Sequence, residues 1–297
     1  MSEKTTLRVK RRALSGEITA PPSKSHTMRA ILFATLANGT STISHYLHSP
    51  DVIAMIKACR LLGARIDQTP DRLLITGVSG CPCLPHETID AGNSGQVLRF
   101  VAAIAALCEG ETVMTGDHSV QTNRPVKPLI SGLNQLGASC QSVRQNDHAP
   151  IRIQGPIRAG EVSIDGEDSQ PVSALLMACA FLKGETSLTV NHPGETPWID
   201  LTLSWFDRLG IAYENQAYQQ YHLLGYAEIN AFDLSIPGDF SSIAFPLVAA
   251  IITGSHLVIS EVDMQDVQGD KAVVDVLIKM GADIRYDEKN HRLMVSP

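Results

Sequence analysis

The sequence has few charged and aromatic residues and no long hydrophobic run. Charged residues make up 19% and aromatic residues 5% of the 297 positions, and the formal net charge at pH 7 is −7. No basic run interleaves with aromatic side chains, which disfavours wholesale nucleic-acid binding. The longest apolar stretches, 100–108 and 242–253, are shorter than the roughly 20 residues that a membrane-spanning helix needs. The composition therefore indicates a globular protein that binds neither nucleic acid nor membrane.

The N-terminal segment does not have the pattern of an export signal. Residues 1–12 contain basic residues, but 13–17 (Ala-Leu-Ser-Gly-Glu) follow in place of an apolar core, so we expect a cytoplasmic protein. Of the six cysteines, four lie in apolar helix or strand patterns and are predicted to be small core residues. Only Cys81-Pro82-Cys83 with His86 has a ligand-like spacing. Because no second cysteine pair lies nearby, we expect no metal site.

A repeat of about 72 residues runs through the chain. Helix endings that resemble Leu-Gly-Ala place glycines at 63, 137, 210 and 281, in steps of 74, 73 and 71 residues. A second glycine, which follows an apolar helix and opens a strand, recurs at 39, 110, 184 and 254, in steps of 71, 74 and 70 residues. Since two separate landmarks keep the same period, the sequence indicates four copies of one unit.

Each copy is predicted to contain a helix, a strand, a second helix and a β-hairpin. The first helix, as in 28–37 and 173–182, is apolar on most sides, which is typical of a helix buried between other elements. The second helix is amphipathic, and the glycine that ends it lies where a left-handed cap needs a residue without Cβ. Two short strands joined by polar turn residues follow. The pattern predicts a mixed α/β fold in which helices cover sheets.

The first helix of each copy begins with hydroxyl or amide residues. These starts are 22–25 (Pro-Ser-Lys-Ser), 92–95 (Gly-Asn-Ser-Gly), 168–170 (Asp-Ser-Gln) and 238–242 (Gly-Asp-Phe-Ser-Ser). Helix N-termini bind phosphate or carboxylate through unpaired N–H groups, although the same residue types also act as ordinary helix caps. Lys24 favours an anion site, because a lysine in the first turn opposes the helix dipole unless an anion is bound. Arg29, Arg99 and Arg124 would complete an electropositive pocket for a polyanionic small molecule.

Five motifs follow one another along the chain, namely 22–30 (Pro-Ser-Lys-Ser-His-Thr-Met-Arg-Ala), 93–99 (Asn-Ser-Gly-Gln-Val-Leu-Arg), 123–125 (Asn-Arg-Pro), 168–170 (Asp-Ser-Gln) and 269–270 (Gly-Asp). Taken in this order, the motifs resemble the 5-enolpyruvylshikimate-3-phosphate synthase family. The resemblance extends from about Arg8 to Pro297. The Lys-Ser pair favours this family over its sister, UDP-N-acetylglucosamine enolpyruvyl transferase, which has Lys-Asn there. The resemblance implies an inside-out α/β barrel built from the repeated unit.

The resemblance also implies transfer of the enolpyruvyl group from phosphoenolpyruvate to the 5-hydroxyl of shikimate 3-phosphate, with no metal or organic cofactor. Lys24 would contact both substrates. The residues implied for shikimate 3-phosphate are Lys24, Ser25, Arg29, Ser169 and Gln170, and those implied for phosphoenolpyruvate are Lys24, Gly95 and Arg124. Four positions depart from the family pattern, namely Gln96, Asp168, Glu195 and Trp198. A carboxylate beside a bound phosphate is unfavourable unless a cation intervenes or the carboxylate turns away.

Family members have six copies in two domains of three. By this resemblance, residues 18–230 form one complete domain, and 1–17 with 231–297 form a third of the other. The family's catalytic Asp and Glu would lie beyond the position matched by Pro297, so no catalytic residue is predicted here. We expect the fourth copy to expose apolar faces over 245–252 and 273–280 and to promote self-association. We also expect weak binding of shikimate 3-phosphate and little or no turnover by this chain alone.

Two alternatives remain open at this point. The first is a catalytically inactive, anion-binding remnant of such an enzyme. The second is a structural repeat protein in which the serine clusters only cap helices.

Overall fold

A computed structural model of the protein describes residues 8, 10, 12–13 and 15–297, which form two compact units. Unit 2 comprises Lys24–Ile236, and unit 1 comprises the residues up to Ser23 together with Pro237–Pro297. Both boundaries fall six residues after the predicted ones at 18 and 231, because strand pairing holds 15–19 in unit 1 and 233–235 in unit 2. Residues 1–7, 9, 11 and 14 of the predicted 1–17 segment lie outside the described residues. That residues 18–230 form a complete domain, and that 1–17 with 231–297 form a third of another, remain predictions.

The secondary structure follows the fourfold repeat. In chain order the strands are β1 (Ser15–Thr19), β2 (Thr40–Ser44), β3 (Arg65–Gln68), β4 (Arg72–Thr76), β5 (Ile89–Asp90), β6 (Gly110–Thr115), β7 (Ser139–Ser142), β8 (Ile151–Gly155), β9 (Glu161–Asp165), β10 (Thr186–Asn191), β11 (Tyr213–Gln216), β12 (Gln220–Leu223), β13 (Asp233–Ser235), β14 (His256–Ser260), β15 (Asp283–Asp287) and β16 (Arg292–Ser296). The helices are α1 (Lys24–Leu36), α2 (Pro50–Leu61), α3 (Ala102–Ala105), α4 (His118–Asn123), α5 (Lys127–Gln135), α6 (Ser169–Cys179), α7 (Thr196–Leu209), α8 (Phe240–Thr253) and α9 (Ala272–Lys279). A π-helical turn, Val97–Val101, leads directly into α3.

The predicted first helices are present, but they begin earlier than the apolar pattern indicated. The segments 28–37 and 173–182 correspond to α1 and α6, and each helix begins four residues before the predicted start. The polar residues at these starts are therefore part of the first helical turn. This places Lys24 and Ser25 at the N-terminus of α1, and Ser169 and Gln170 at the N-terminus of α6.

The order of elements within a copy includes a leading strand that the sequence pattern did not predict. Copies one, three and four each consist of a strand, a helix, a strand, a helix and a hairpin, and copy two has an additional helix, α4, before α5. Among the described residues, each of the four sheets has four strands. The sheet orders are β13-β2-β4-β3, β5-β6-β8-β7 and β11-β12-β10-β9 in unit 2, and β1-β14-β16-β15 in unit 1. The leading strand of every sheet is parallel to its neighbour, while the hairpin strands are antiparallel.

Copies one and four exchange their leading strands. In copies two and three the leading strand pairs within its own copy, as β5 with β6 and β9 with β10. The leading strand of copy one, β1, instead pairs with β14 of copy four, with Ser15 opposite His256. The leading strand of copy four, β13, pairs with β2 of copy one, with Asp233 opposite Thr42. The chain therefore passes between the two units at 23/24 and again at 236/237.

Within unit 2, the first helices are buried and the sheets expose one face to solvent. Every residue of α1 from His26 to Leu36 is buried, and in α6 Gln170 is the exception. In β9, buried Val162 and Ile164 alternate with exposed neighbours, which is the pattern of a strand with one solvated face. This confirms the predicted mixed α/β class, and in unit 2 the first helices lie inside while the sheets have a solvent-exposed face.

The glycines that end the second helices adopt the predicted left-handed conformation. Gly210, directly after α7, has φ +70°, and Gly63, Gly137 and Gly281 also have positive φ. A side chain at these positions would strain the backbone, since residues with Cβ rarely adopt positive φ. These residues therefore set the end of each amphipathic helix.

Unit 1 has its own small core and an exposed apolar surface. Its core includes Phe240 and Leu247 of α8 and Ile259 of β14. Large apolar side chains on α8, on α9 and directly after α9 are exposed, as predicted for 245–252 and 273–280, and Phe245 is 79% and Met280 78% accessible.

The four cysteines in apolar patterns are free and buried, as their predicted role of core residues requires. They are Cys59, Cys108, Cys140 and Cys179, whereas Cys81 and Cys83 are free and exposed. Burial raises the pKa of the Cys179 thiol to about 12. Within the described part of the chain, no helix is long and apolar enough to cross a membrane.

Candidate functional site

The first turn of α1 brings together three of the predicted site residues. The Lys24 ammonium is half-exposed and lies 3.1 Å from the Asp51 carboxylate, in the first turn of α2. Ser25 is half-buried, and its backbone carbonyl accepts a hydrogen bond of 3.3 Å from Nη1 of Arg29, one turn further along α1. Lys24, Ser25 and Arg29 thus lie along the start of one helix.

The Arg29 guanidinium is buried against α7 and the π-helical turn. The residue is 2% exposed, and both Nε and Nη2 donate to Oγ1 of Thr202, at 3.0 and 2.8 Å. Nη2 also donates to the Trp198 carbonyl at 3.1 Å, and the guanidinium carbon lies 5.1 Å from the centre of the Phe100 ring. Burial lowers the pKa of Arg29 to about 9. The side chain is therefore a fixed, buried cation held by neutral acceptors and a ring face.

A second group of residues surrounds the N-terminus of α6. Gly95 lies against Arg99 and Arg124, because a β-carbon built on it would be 2.7 Å from Nη1 of Arg99 and 3.7 Å from Cδ of Arg124. Nη1 of Arg99 donates to the side-chain oxygen of Gln170 at 2.9 Å. Arg124 is exposed, whereas Arg99 is buried. The structure thus places Gly95, Arg124 and Gln170, three of the predicted site residues, around one buried guanidinium.

Arg99 is neutralised by a residue that departs from the family pattern. Its Nη2 lies 2.9 Å from a carboxylate oxygen of Asp168, and the same nitrogen donates to the Pro125 carbonyl at 2.9 Å. Burial lowers the pKa of Arg99, and the neighbouring Asp168 carboxylate partly opposes that effect. The other Asp168 oxygen accepts the Gln170 N–H at 2.9 Å and so caps α6. The Asp168 carboxylate therefore has a cation, Arg99, beside it.

Glu195 reaches the same helix terminus from the start of α7. Its Oε2 accepts a 2.9 Å hydrogen bond from the Ser169 hydroxyl and a 3.4 Å hydrogen bond from the Ser169 N–H. The two groups of site residues are connected one turn deeper, where the Thr202 hydroxyl donates to Oγ of Ser173 at 2.9 Å. Ser169 and Ser173 are four residues apart and lie on one face of α6. The arrangement combines N–H donors, hydroxyls and cations in the way that anion binding requires.

Sequence reasoning missed the internal partners of these cations. It named Arg99 as one of a set of cations, but neither the Asp168 ion pair nor the Thr202 and Ser173 hydroxyls could be recognised without the structure. Asp168 did carry a local signal, since an Asp directly before an apolar helix is a typical N-cap. Within the described residues, the side-chain oxygen of Gln96 and Nε of Arg99 are buried and have no hydrogen-bond partner.

The N-terminus of α8, in unit 1, is capped by side chains. Asp239 accepts hydrogen bonds from the N–H and the hydroxyl of Ser242, and Ser241 donates to Asp270. The buried Gln268 accepts the Phe240 N–H at 3.2 Å. With two carboxylates at this terminus, the cluster 238–242 fits the helix-capping interpretation rather than an anion site.

The family model and the relatives that match this chain have the same name. A family model described as EPSP synthase (3-phosphoshikimate 1-carboxyvinyltransferase) matches residues 9–297. A 3-phosphoshikimate 1-carboxyvinyltransferase of Acetivibrio thermocellus is 40% identical over 287 residues, which cover 97% of this chain and 68% of that protein. The protein of the same name from Chlamydia caviae is 42% identical over 284 residues, covering 95% of this chain and 64% of that protein.

Solved structures agree with the sequence comparison. An EPSP synthase from Acinetobacter baumannii superposes with a TM-score of 0.81 at 26% identity, covering 97% of this chain and 65% of that chain. The chain thus spans about two thirds of the length of the relatives that it matches. It belongs to the EPSP synthase family, which is a family of transferases.

Proposed function

We propose that the chain binds shikimate 3-phosphate and phosphoenolpyruvate and takes part in the carboxyvinyl transfer for which its relatives are named. In that reaction the 5-hydroxyl of shikimate 3-phosphate attacks C2 of phosphoenolpyruvate while C3 is protonated, and phosphate leaves from a tetrahedral intermediate. Both substrates are polyanions, so their site must place several cations and N–H donors together. The observation that carries the proposal is the convergence of Arg99, Arg124, Gly95 and Gln170 at the N-terminus of α6.

The proposed roles follow the geometry of the two groups. Arg124 is exposed beside Gly95, so its guanidinium is accessible to a carboxylate or phosphate of phosphoenolpyruvate. Gly95 allows the close approach of Arg99, because a β-carbon there would lie 2.7 Å from Nη1 of Arg99. Ser169 and Gln170, in the first turn of α6, would hold shikimate 3-phosphate through their side chains and the Ser169 N–H.

The start of α1 supplies the remaining proposed contacts. The half-exposed Lys24 ammonium can leave Asp51 for a substrate anion, and we propose that it contacts both substrates. Ser25 and the buried Arg29 complete the shikimate 3-phosphate site, since Arg29 holds the turn that contains Ser25. The role proposed for each residue is neutralisation of substrate charge, and the proposal requires no metal or organic cofactor.

A titration calorimetry experiment tests this proposal on the 297-residue chain. Shikimate 3-phosphate is titrated into the unchanged protein, into Lys24→Met and into Lys57→Met, which removes an exposed lysine of α2 as a matched control. Loss of one charge-assisted contact predicts about tenfold to hundredfold weaker binding for Lys24→Met. Lys57→Met should bind like the unchanged protein. Equal affinity in all three proteins would refute the proposed site and favour the helix-capping interpretation.

Phosphate release separates transfer from binding alone. Phosphoenolpyruvate is added to the same samples and inorganic phosphate is measured. Release that depends on both substrates supports the transferase, whereas binding that Lys24→Met weakens, without release, supports the anion-binding remnant. The predicted cytoplasmic location is not addressed by this experiment and remains a prediction.

We further propose that the exposed apolar surface of unit 1 promotes self-association. Large apolar side chains are exposed to solvent on both helices of unit 1. They are Phe245 and Ile252 on α8, Val276 on α9, and Met280 directly after α9. Large exposed apolar patches are uncommon on monomers and are typical of interaction sites. A second copy of the chain carries the same surface, so the two surfaces can cover each other around a twofold axis.

A further inference from the structure

The Glu195 carboxylate occupies the position that the proposed function gives to a substrate phosphate. It accepts hydrogen bonds from both the hydroxyl and the backbone N–H of Ser169, in the first turn of α6. A carboxylate at a helix N-terminus uses the same donors and the same helix field as a phosphate. Glu195 makes no side-chain capping contact with its own helix, α7, so its hydrogen bonds serve the neighbouring helix.

The backbone holds Glu195 at this position. Glu195 has φ +48° and ψ +38°, the left-handed conformation, which is costly for a residue with a side chain. The preceding residue, Gly194, donates its N–H to the Gly166 carbonyl at 2.9 Å. A β-carbon on Gly194 would lie 2.5 Å from the Glu167 carbonyl oxygen, so the two loops are in close contact. Glu195 is therefore fixed beside the α6 terminus by the loop and not only by its own side chain.

The charges around this terminus already balance. Two cations, Arg99 and Arg124, face two carboxylates, Asp168 and Glu195. Arg124 lowers the pKa of Arg99, and the two carboxylates raise it. Asp168 forms an ion pair with Arg99 and caps α6 through the Gln170 N–H. A phosphate that approached Ser169 would meet the Glu195 carboxylate at the same donors, and two anions in contact repel each other.

We infer that Glu195 is a specificity-determining residue, an internal competitor that a phosphate must displace from Ser169 before it can bind there. This inference rests on the proposed function, which assigns Ser169 to the phosphorylated substrate. Removal of the carboxylate should strengthen binding of a phosphorylated ligand much more than binding of the same ligand without its phosphate. A residue that only supported the fold would not produce this selectivity.

The test compares two ligands that differ in one phosphate. Shikimate 3-phosphate and shikimate are titrated into the unchanged chain, Glu195→Ser, Glu195→Gln and Glu228→Ser, the last being an exposed glutamate elsewhere in unit 2. Glu195→Ser should bind shikimate 3-phosphate at least about tenfold more tightly. Glu195→Gln keeps the length and an acceptor oxygen for Ser169 but removes the charge, so a gain of about threefold or more is expected. Affinity for shikimate should change by less than about twofold in either variant, and Glu228→Ser should match the unchanged chain.

The outcomes distinguish this inference from the proposed function. Unchanged affinity for shikimate 3-phosphate in both Glu195 variants overturns the inference, and the proposed function stands if Lys24→Met still weakens binding. An equal gain for shikimate and shikimate 3-phosphate also overturns it, because that result indicates a loosened loop rather than a displaced anion. Absence of shikimate 3-phosphate binding in the unchanged chain and in both Glu195 variants overturns the inference and the proposed function together. Thermal unfolding of each variant confirms that folded proteins are compared.

Discussion

Asp168 makes two contacts that mutation can separate. One carboxylate oxygen caps α6 through the Gln170 N–H, and the other pairs with Arg99, which is only 3% exposed. Asp168→Ala removes both contacts. Asp168→Asn removes the charge but keeps an oxygen that can cap the helix, because Asn is as good an N-cap as Asp. The two variants therefore measure the cap and the ion pair separately.

The structure sets the expected size of each effect. Loss of the N-cap lowers the free energy of unfolding by about 1 kcal/mol. Loss of a charged hydrogen-bond partner from a buried guanidinium lowers it by a further 1.5–3 kcal/mol, roughly. Because the Asp168 side chain is 38% exposed and water screens the pair, the lower end of that range applies. We expect a decrease of about 2–3 kcal/mol for Asp168→Ala and about 1–2 kcal/mol for Asp168→Asn.

Urea unfolding of four proteins measures the ion pair directly. These are the unchanged chain, Asp168→Asn, Arg99→Met and the double variant, and their free energies of unfolding form a double-mutant cycle. We expect a coupling energy of about 1 kcal/mol between the two side chains. A coupling energy within about 0.3 kcal/mol of zero would contradict the ion pair. Equal losses in Asp168→Ala and Asp168→Asn would contradict the cap.

Three further predictions concern the thiols and the apolar surface of unit 1. A thiol reagent should modify Cys81 and Cys83 in the folded protein and the four buried cysteines only on unfolding, as counted by mass spectrometry; early modification of a buried thiol would contradict their core position. Because burial raises the pKa of Cys179 from 9.0 to about 12, the folded state keeps a proton that the unfolded state releases, so the free energy of unfolding should fall as pH rises above about 9. In Cys179→Ala that fall, followed by urea unfolding, should be smaller. The double variant Phe245→Ser, Met280→Ser should show a lower mass by light scattering than the unchanged chain at equal concentration, and a monomeric unchanged chain would contradict self-association.

The repeat and most of its elements could be predicted because they depend on local patterns. Glycines such as Gly210 mark helix ends through backbone geometry, and helices such as α6 are recognisable by their apolar composition. Two of the leading strands, β1 and β5, could not be found in this way. β5 has two residues, and β1 is exposed along its whole length, so neither shows the alternation that identifies a strand. The exchange of β1 and β13 depends on pairing between distant segments, which no local pattern encodes.

The candidate site was predictable as a set of residues but not as a network. The motifs around Lys24, Gly95, Arg124 and Ser169 are visible in the sequence, and the structure brings Gly95 and Arg124 together with the start of α6. The partner of each cation is a long-range contact and was not predictable. A carboxylate such as Glu195 could be recognised as a departure from the family, but its hydrogen bonds to Ser169 depend on a left-handed residue and a tight loop.

The exchanged strands have a consequence for the order in which the protein can form during synthesis on the ribosome. The sheet that contains β13 has all its strands once Ser235 has left the ribosome exit tunnel. β1, by contrast, has no partner strand until residues 256–260 emerge, which is 241 residues after Ser15. At about 5–20 residues per second, this delay is about 12–50 s. Unit 2 can therefore assemble first, and β1 can pair only afterwards.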